Sequence, residues 1–170
     1  NPRAKNQSSL CFWDDEEPRA RVIVRAAALF ASTEACHPRG PMNEFELLEL
    51  LGDARVATLA TIRADGRVDL VPVTFAFDDR TVVTAVDHKK KSTTELKRLD
   101  NIRQFPEVTL LADCYDDDDW KQLWWVRIRG RAKVHESGTE CDRAIDLLCE
   151  RYAQYAENRP KGPAIVIERT

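Results

Sequence analysis

The sequence predicts a mostly-β fold, a closed antiparallel β-barrel of six strands with small helices at its flanks. Three observations predict it. Six runs read as strands, at residues 55–63, 67–77, 81–87, 107–115, 120–135 and 164–168, with period-two stretches or β-branched and aromatic residues. Most of the connections between them are short and carry turn residues, as antiparallel neighbours require. The helical segments are short and amphipathic, so they suit the flanks of a barrel rather than a layer of their own. A barrel hides its edges and at this size has little internal room. A large ligand is therefore expected in a groove between two copies of the chain, as in a homodimer.

The chain supports each element in turn. Residues 1–41 mix Pro, Arg and acidic residues (Trp13-Asp14-Asp15-Glu16-Glu17-Pro18) around one apolar segment, Val22–Phe30, and His37-Pro38-Arg39-Gly40-Pro41 breaks regular structure. Clean periodicity starts after Met42, the only methionine. Residues 1–41 thus read as an N-terminal extension and 42–170 as the compact domain. Asn43 caps a short helix and Glu46 completes the box, with Phe45, Leu48 and Leu51 on one face and Gly52 at its end. Arg55–Arg63 alternates with period two, and Asp65-Gly66 predicts a two-residue hairpin turn into Arg67–Phe77. Pro72 cannot donate to a ladder, so it marks an edge or a bulge where a ligand approaches backbone. Thr81–Asp87 leads into His88, Lys89, Lys90 and Lys91, and Ser92 opens a helix with Glu95 as its box partner. Leu96, Leu99 and Ile102 share that helix's face, and Phe105-Pro106 stops it. Asp116–Asp119 is an acidic loop without the glycine or spacing of a calcium site. Trp120–His135 is a long strand bent at Gly130, and Thr139–Tyr155 is a helix with Ala144, Ile145, Leu148 and Tyr152 inward.

Composition bounds the function. A net charge of −3 and lysines without interleaved aromatics argue against nucleic acid as a partner. No apolar run approaches membrane-spanning length, so no membrane partner is expected. Five scattered cysteines form no CxxC pair and no zinc-ligand spacing, as in a cytoplasmic protein with reduced thiols and no metal. One stretch carries chemistry. A helix N-terminus offers free N–H groups and a partial positive charge, and Lys89, Lys90 and Lys91 stand beside it, so the turn reads equally as a phosphate site or as a solvated lysine turn. His88 is the titratable group next to it. Trp124 and Trp125 are adjacent on a strand, so one faces the core and only the other can stack on a ring.

The order of RVATLATIRADGRVDLVPVTF, then TAVDHKKK, LKRLDNI and LWWVRIRGRAKV, resembles the FMN-binding split-barrel superfamily. That superfamily holds pyridoxamine 5′-phosphate oxidase and many oxidoreductases that use the deazaflavin coenzyme F420. The D-H-K-x-K turn, the Tyr-Asp-acidic-Trp loop and the LWWVR strand look most like an F420-dependent branch. The resemblance spans Met42 to Thr170. It implies that Lys89 and Lys91 hold the cofactor phosphate and that Thr84 and Ala85 touch the same region. It also implies that Val71, Pro72, Val73 and Thr74 lie along the isoalloxazine or deazaflavin ring. Trp125 occupies the place of the oxidase's FMN-binding glutamine, and the oxidase's arginine- and histidine-rich substrate segment has no counterpart before Thr170. Both departures point away from pyridoxamine phosphate as substrate.

The expected activity is hydride transfer between bound F420 and a small organic molecule. FMN is the alternative cofactor, and a non-catalytic carrier of flavin, F420 or haem the alternative role. No catalytic side chain is expected, because the coenzyme carries the chemistry. Lys90, Lys97, Arg98 and Asn101 are expected along the acidic tail of F420.

Overall fold

Alternation along the strands and the short turns between them build one eight-stranded antiparallel sheet, seen in a computed structural model that describes residues 33–38, 40, 42–86 and 93–169. The strands are β1 (Thr33–Cys36), β2 (Ala57–Ile62), β3 (Val68–Val73), β4 (Ala76–Phe77), β5 (Thr81–Ala85), β6 (Glu107–Cys114), β7 (Trp124–His135) and β8 (Ala164–Arg169). The helices are α1 (Glu44–Asp53), α2 (Thr93–Gln104), α3 (Thr139–Arg151) and α4 (Ala153–Glu157). The sheet order is β3-β2-β6-β7-β8-β5-β4, with β1 paired to β7 off this path.

The two ends of that path, β3 and β4, are consecutive in the chain and joined only by Thr74 and Phe75. The sheet must therefore curl until its ends meet, which makes it the expected split barrel with flanking helices. Two differences in strand count have physical causes. The run 67–77 divides at Thr74–Phe75, where the chain leaves β2 and passes to β5. Thr33–Cys36, upstream of the expected domain start at Met42, adds a strand against residues 125–128 of β7. The long run from Trp120 enters its ladder only at Trp124, after a 3-10 turn over Trp120–Gln122.

Period-two alternation sorts the side chains. On β2, Ala57, Leu59 and Thr61 are buried and Thr58, Ala60 and Ile62 only partly so. The barrel interior holds Leu59, Phe75, Val82, Leu110, Val126, Ile128, Ile165 and Ile167. A second cluster, between α3 and the sheet, holds Val83, Ala85, Ala144, Ile145, Leu148 and Tyr152. β5 serves both, with Val82 facing in and Val83 and Ala85 facing α3.

Asn43 and Glu46 form the predicted capping box, but the buried face of α1 is Leu47 and Leu51; Leu48 is half-buried and Phe45 is 67% exposed. The hairpin after β2 has a three-residue loop rather than two. Arg63 N–H donates to the Arg67 carbonyl at 2.8 Å, and Gly66 closes the turn at φ 79°. Gly130 lies where β8 approaches β7: a Cβ there would sit 2.5 Å from the Glu168 carbonyl oxygen. The predicted helix 139–155 breaks at Tyr152, whose extended backbone separates α3 from α4.

Candidate functional site

Thr74 and Phe75 lie between two ladders, so their backbone groups need other partners. Tyr152 supplies them. Its hydroxyl accepts from the Phe75 N–H at 3.1 Å and has the carbonyls of Phe75 and Arg55 within donor reach, each at 2.8 Å. Tyr155 hydrogen-bonds the Thr74 hydroxyl at 2.8 Å. Arg151 lies over the Phe75 ring at 4.8 Å and donates to the carbonyls of Leu51 (2.7 Å), Gly52 (3.0 Å) and Ala54 at the end of α1. Burial pulls the Arg151 pKa down, yet an arginine keeps its charge in any such setting.

Register places the predicted site residues around this seam. Ala76 pairs with Val83 and Phe77 with Val82. Continuing that count sets Phe75 level with Thr84 and Thr74 level with Ala85. Thr74 and Phe75 thus stand beside Ala85 and Thr84 at the split between β3 and β4, while Val71, Pro72 and Val73 pair with β2. Their side chains divide between the two faces. Val71 and Val73 pack with the barrel core, leaving Pro72 exposed and Thr74 half-buried outside. The Ala85 methyl packs in the cluster under α3, so only its backbone faces a ligand. Thr84 points inward on the Val82 side and is 1% exposed. Its hydroxyl has no hydrogen-bond partner among the described residues. A buried hydroxyl without a partner costs free energy, so this one needs a polar group from beyond the described residues or from a ligand.

His88, Lys89, Lys90 and Lys91 lie outside the described residues, as do Ser92 and the side chains of residues 93–96. Trp125 faces outward, beside Cys36 of β1, while Trp124 is buried as alternation requires. The ladders set Trp125 level with Thr74 but with β2 and β6 between them, about 14 Å along the curled sheet at three strand spacings. Arg98 and Asn101 lie on α2 against the sheet. Both are 8% exposed, and the Asn101 amide donates to Thr61 (3.1 Å) and Asp69 (3.2 Å), bracing α2 on the sheet. Lys97 is exposed. The acidic loop folds on itself, Asp116 accepting from the amides of Asp118 and Asp119. No group of three metal-ligating side chains occurs among the described residues.

A solvent-open depression of about 310 Å³ lies along α4, lined by Gln154, Tyr155, Glu157 and Asn158. It touches the seam only through Tyr155, and no predicted site residue lines it. Sequence reasoning missed the bracing role of Tyr152 and Tyr155. The available signal was a tyrosine on the inward face of a helix, where its hydroxyl must find a partner.

The family model described as pyridoxamine 5′-phosphate oxidase matches residues 44–170. The chain belongs to that family. Solved structures share the fold at low identity. A conserved hypothetical protein from Mycobacterium tuberculosis aligns at TM-score 0.57 and 23% identity, over 76% of this chain and 81% of that one. HutZ, the haem storage protein from Vibrio cholerae, aligns at 0.59 and 17%, over 75% and 89%. An FAD-binding protein from Mesorhizobium loti aligns at 0.53 and 17%, over 81% and 93%. No curated protein matches the chain. Among the described residues, no helix is long and apolar enough to cross a membrane.

Proposed function

We propose that this member of the family is an F420-dependent oxidoreductase that transfers hydride to or from a small organic substrate. The observation that carries the reading is the Thr84 hydroxyl, buried and unpartnered among the described residues, at the strand end that leads into the lysine turn. A phosphorylated coenzyme held by Lys89 and Lys91 would supply that inward hydroxyl with an acceptor by entering at the end of β5, beyond Ala85, rather than across the outer face of the sheet. Pro72 and the adjoining backbone would lie along the deazaflavin ring, and Lys90 and His88 would flank the phosphate. The bound coenzyme supplies the hydride chemistry, and the protein holds the ring, orients the substrate and excludes water.

The preference for F420 over FMN rests on the likeness of the D-H-K-x-K turn and the LWWVR strand to the F420-dependent branch. The coenzyme would lie between two copies of the chain. The outer sheet face supports a second copy: Val68 is 59% and Leu70 65% exposed there, beside the exposed Pro72.

Titration of the full chain with F420, FMN and haem, followed by absorption, tests the assignment. F420 binding, with turnover of a quinone or enone, is the expected result. Saturation with FMN or haem and none with F420 would overturn it. Replacing Lys89 and Lys91 together with Ala is expected to weaken coenzyme affinity by roughly tenfold or more, the loss of at least one charge-assisted hydrogen bond.

A further inference from the structure

We propose that Arg127 and Arg129 form a receptor for a phosphoryl-type oxyanion on the outer face of β7, and that Glu34 of the N-terminal strand is its displaceable internal occupant. The argument begins with alternation. Trp125, Arg127, Arg129, Arg131 and Lys133 share the outward side of β7, and residues two apart stand about 7 Å from each other. The β1–β7 register puts Glu34 opposite Arg127. One Glu34 carboxylate oxygen contacts Arg127 Nη2 and the other contacts Arg129 Nη1. The two arginines therefore already hold a carboxylate.

Glu34 does not saturate them. The Arg127 Nε is buried and has no hydrogen-bond partner among the described residues. Its guanidinium lies over the Trp125 ring at 5.4 Å, which fixes the plane of the fork. A guanidinium edge matches two oxygens of one anion, whereas Glu34 offers Arg127 only one. A tetrahedral oxyanion has the oxygens to take the Nε–Nη2 edge of Arg127 and to reach Arg129 as well, and it brings more charge than a carboxylate.

The occupant is weakly anchored. One residue of β1 is half-buried and three are exposed, so leaving costs little apolar burial. β8 pairs with β7 only from Gly130 onward. Displacement of β1 would therefore uncover the arginines and free the strand edge at residues 125–128. Hydrogen bonds from Arg129 and then Arg127 hold the Glu34 carboxyl below its usual range, so near neutrality the contest is between two anions.

Pyrophosphate is the probe, titrated calorimetrically into the full chain carrying K89A and K91A so that the lysine turn does not contribute. Adding Glu34→Gln is expected to tighten binding about threefold or more, the effect of removing a competing exposed ion pair. Adding Arg127→Lys, which keeps the charge and removes the fork, is expected to abolish that gain, and Arg129→Gln provides a second variant for the same test. Saturating pyrophosphate should also speed amide exchange at residues 33–36 in the unsubstituted chain. Equal affinity with and without Glu34, or unchanged exchange at 33–36, would overturn the proposal. So would binding indifferent to both arginine substitutions.

Discussion

The curled sheet is closed in two places, and the two closures are made of different physics. At the seam between β3 and β4 the backbone gap is filled by a buried tyrosine hydroxyl, a stacked arginine and the packed face of α3. At the free half of β7 the gap is filled by a mostly exposed strand, with Glu34 bridging two partly exposed arginines. Removing a partner from a buried hydrogen bond leaves an unsatisfied group that water cannot reach. Removing a partner from an exposed ion pair leaves a charge that water solvates at once. The seam is therefore structural, and the β1 contact is free to open.

The largest effect is expected from Tyr152→Phe. The Phe75 N–H and carbonyl lose the hydroxyl that serves them, and denaturant unfolding should show a loss of about 2–3 kcal/mol. Arg151→Met, which keeps the packing against Phe75 but leaves the last carbonyls of α1 without their donor, should cost about 1–2 kcal/mol. A loss under 0.5 kcal/mol in either variant, by the precision of such unfolding fits, would mean that the seam is not held as described.

Asp78, in the turn between β4 and β5, gives a smaller and pH-dependent effect. Burial raises its pKa, but amide hydrogen bonds from Arg80 and Thr81, the Thr81 hydroxyl and the charge of Arg143 outweigh it, and the carboxyl lies below its ordinary value of 3.8. A depressed carboxylate stabilises the fold fully above its unfolded pKa, and that stabilisation is lost as pH falls through the folded value. Asp78→Asn should thus be less stable than the unsubstituted chain near pH 7, with the gap closing as pH drops below about 4. A gap that persists unchanged at pH 2 would count against the charge as its source. The smallest effect is at the other closure. Glu34→Gln should leave the global unfolding midpoint unchanged while amide exchange quickens at residues 33–36 alone.

Much of the barrel was legible in the sequence because period-two alternation and turn chemistry act locally. Arg55–Arg63, the break at Phe105-Pro106 and the Asn43 cap depend on neighbours a few residues away. The division of 67–77 did not show, because nothing in VTF marks where a strand changes partners. The backbone left between the two ladders at that switch is met by Tyr152, 77 residues downstream. Phe45 and Leu48 looked inward by spacing, but helix rotation is fixed by what α1 packs on, and Leu47 and Leu51 face the core instead. β1 was hidden because its four residues are mostly exposed and carry no apolar pattern. At the site, register sets only Thr74 beside Ala85; Val71, Pro72 and Val73 pair with β2. Where Trp125 stands relative to them follows from two intervening strands, which no local pattern shows.

The most direct test of the coenzyme site is Thr84→Val, measured by F420 titration and by denaturant unfolding of the same preparation. The substitution keeps the shape and removes a hydroxyl that no described residue satisfies. Stability should hold or rise, while F420 affinity should fall by about fivefold or more, as expected when one hydrogen bond to a charged group is lost. Unchanged affinity at unchanged stability would contradict the placement of the coenzyme at this strand end.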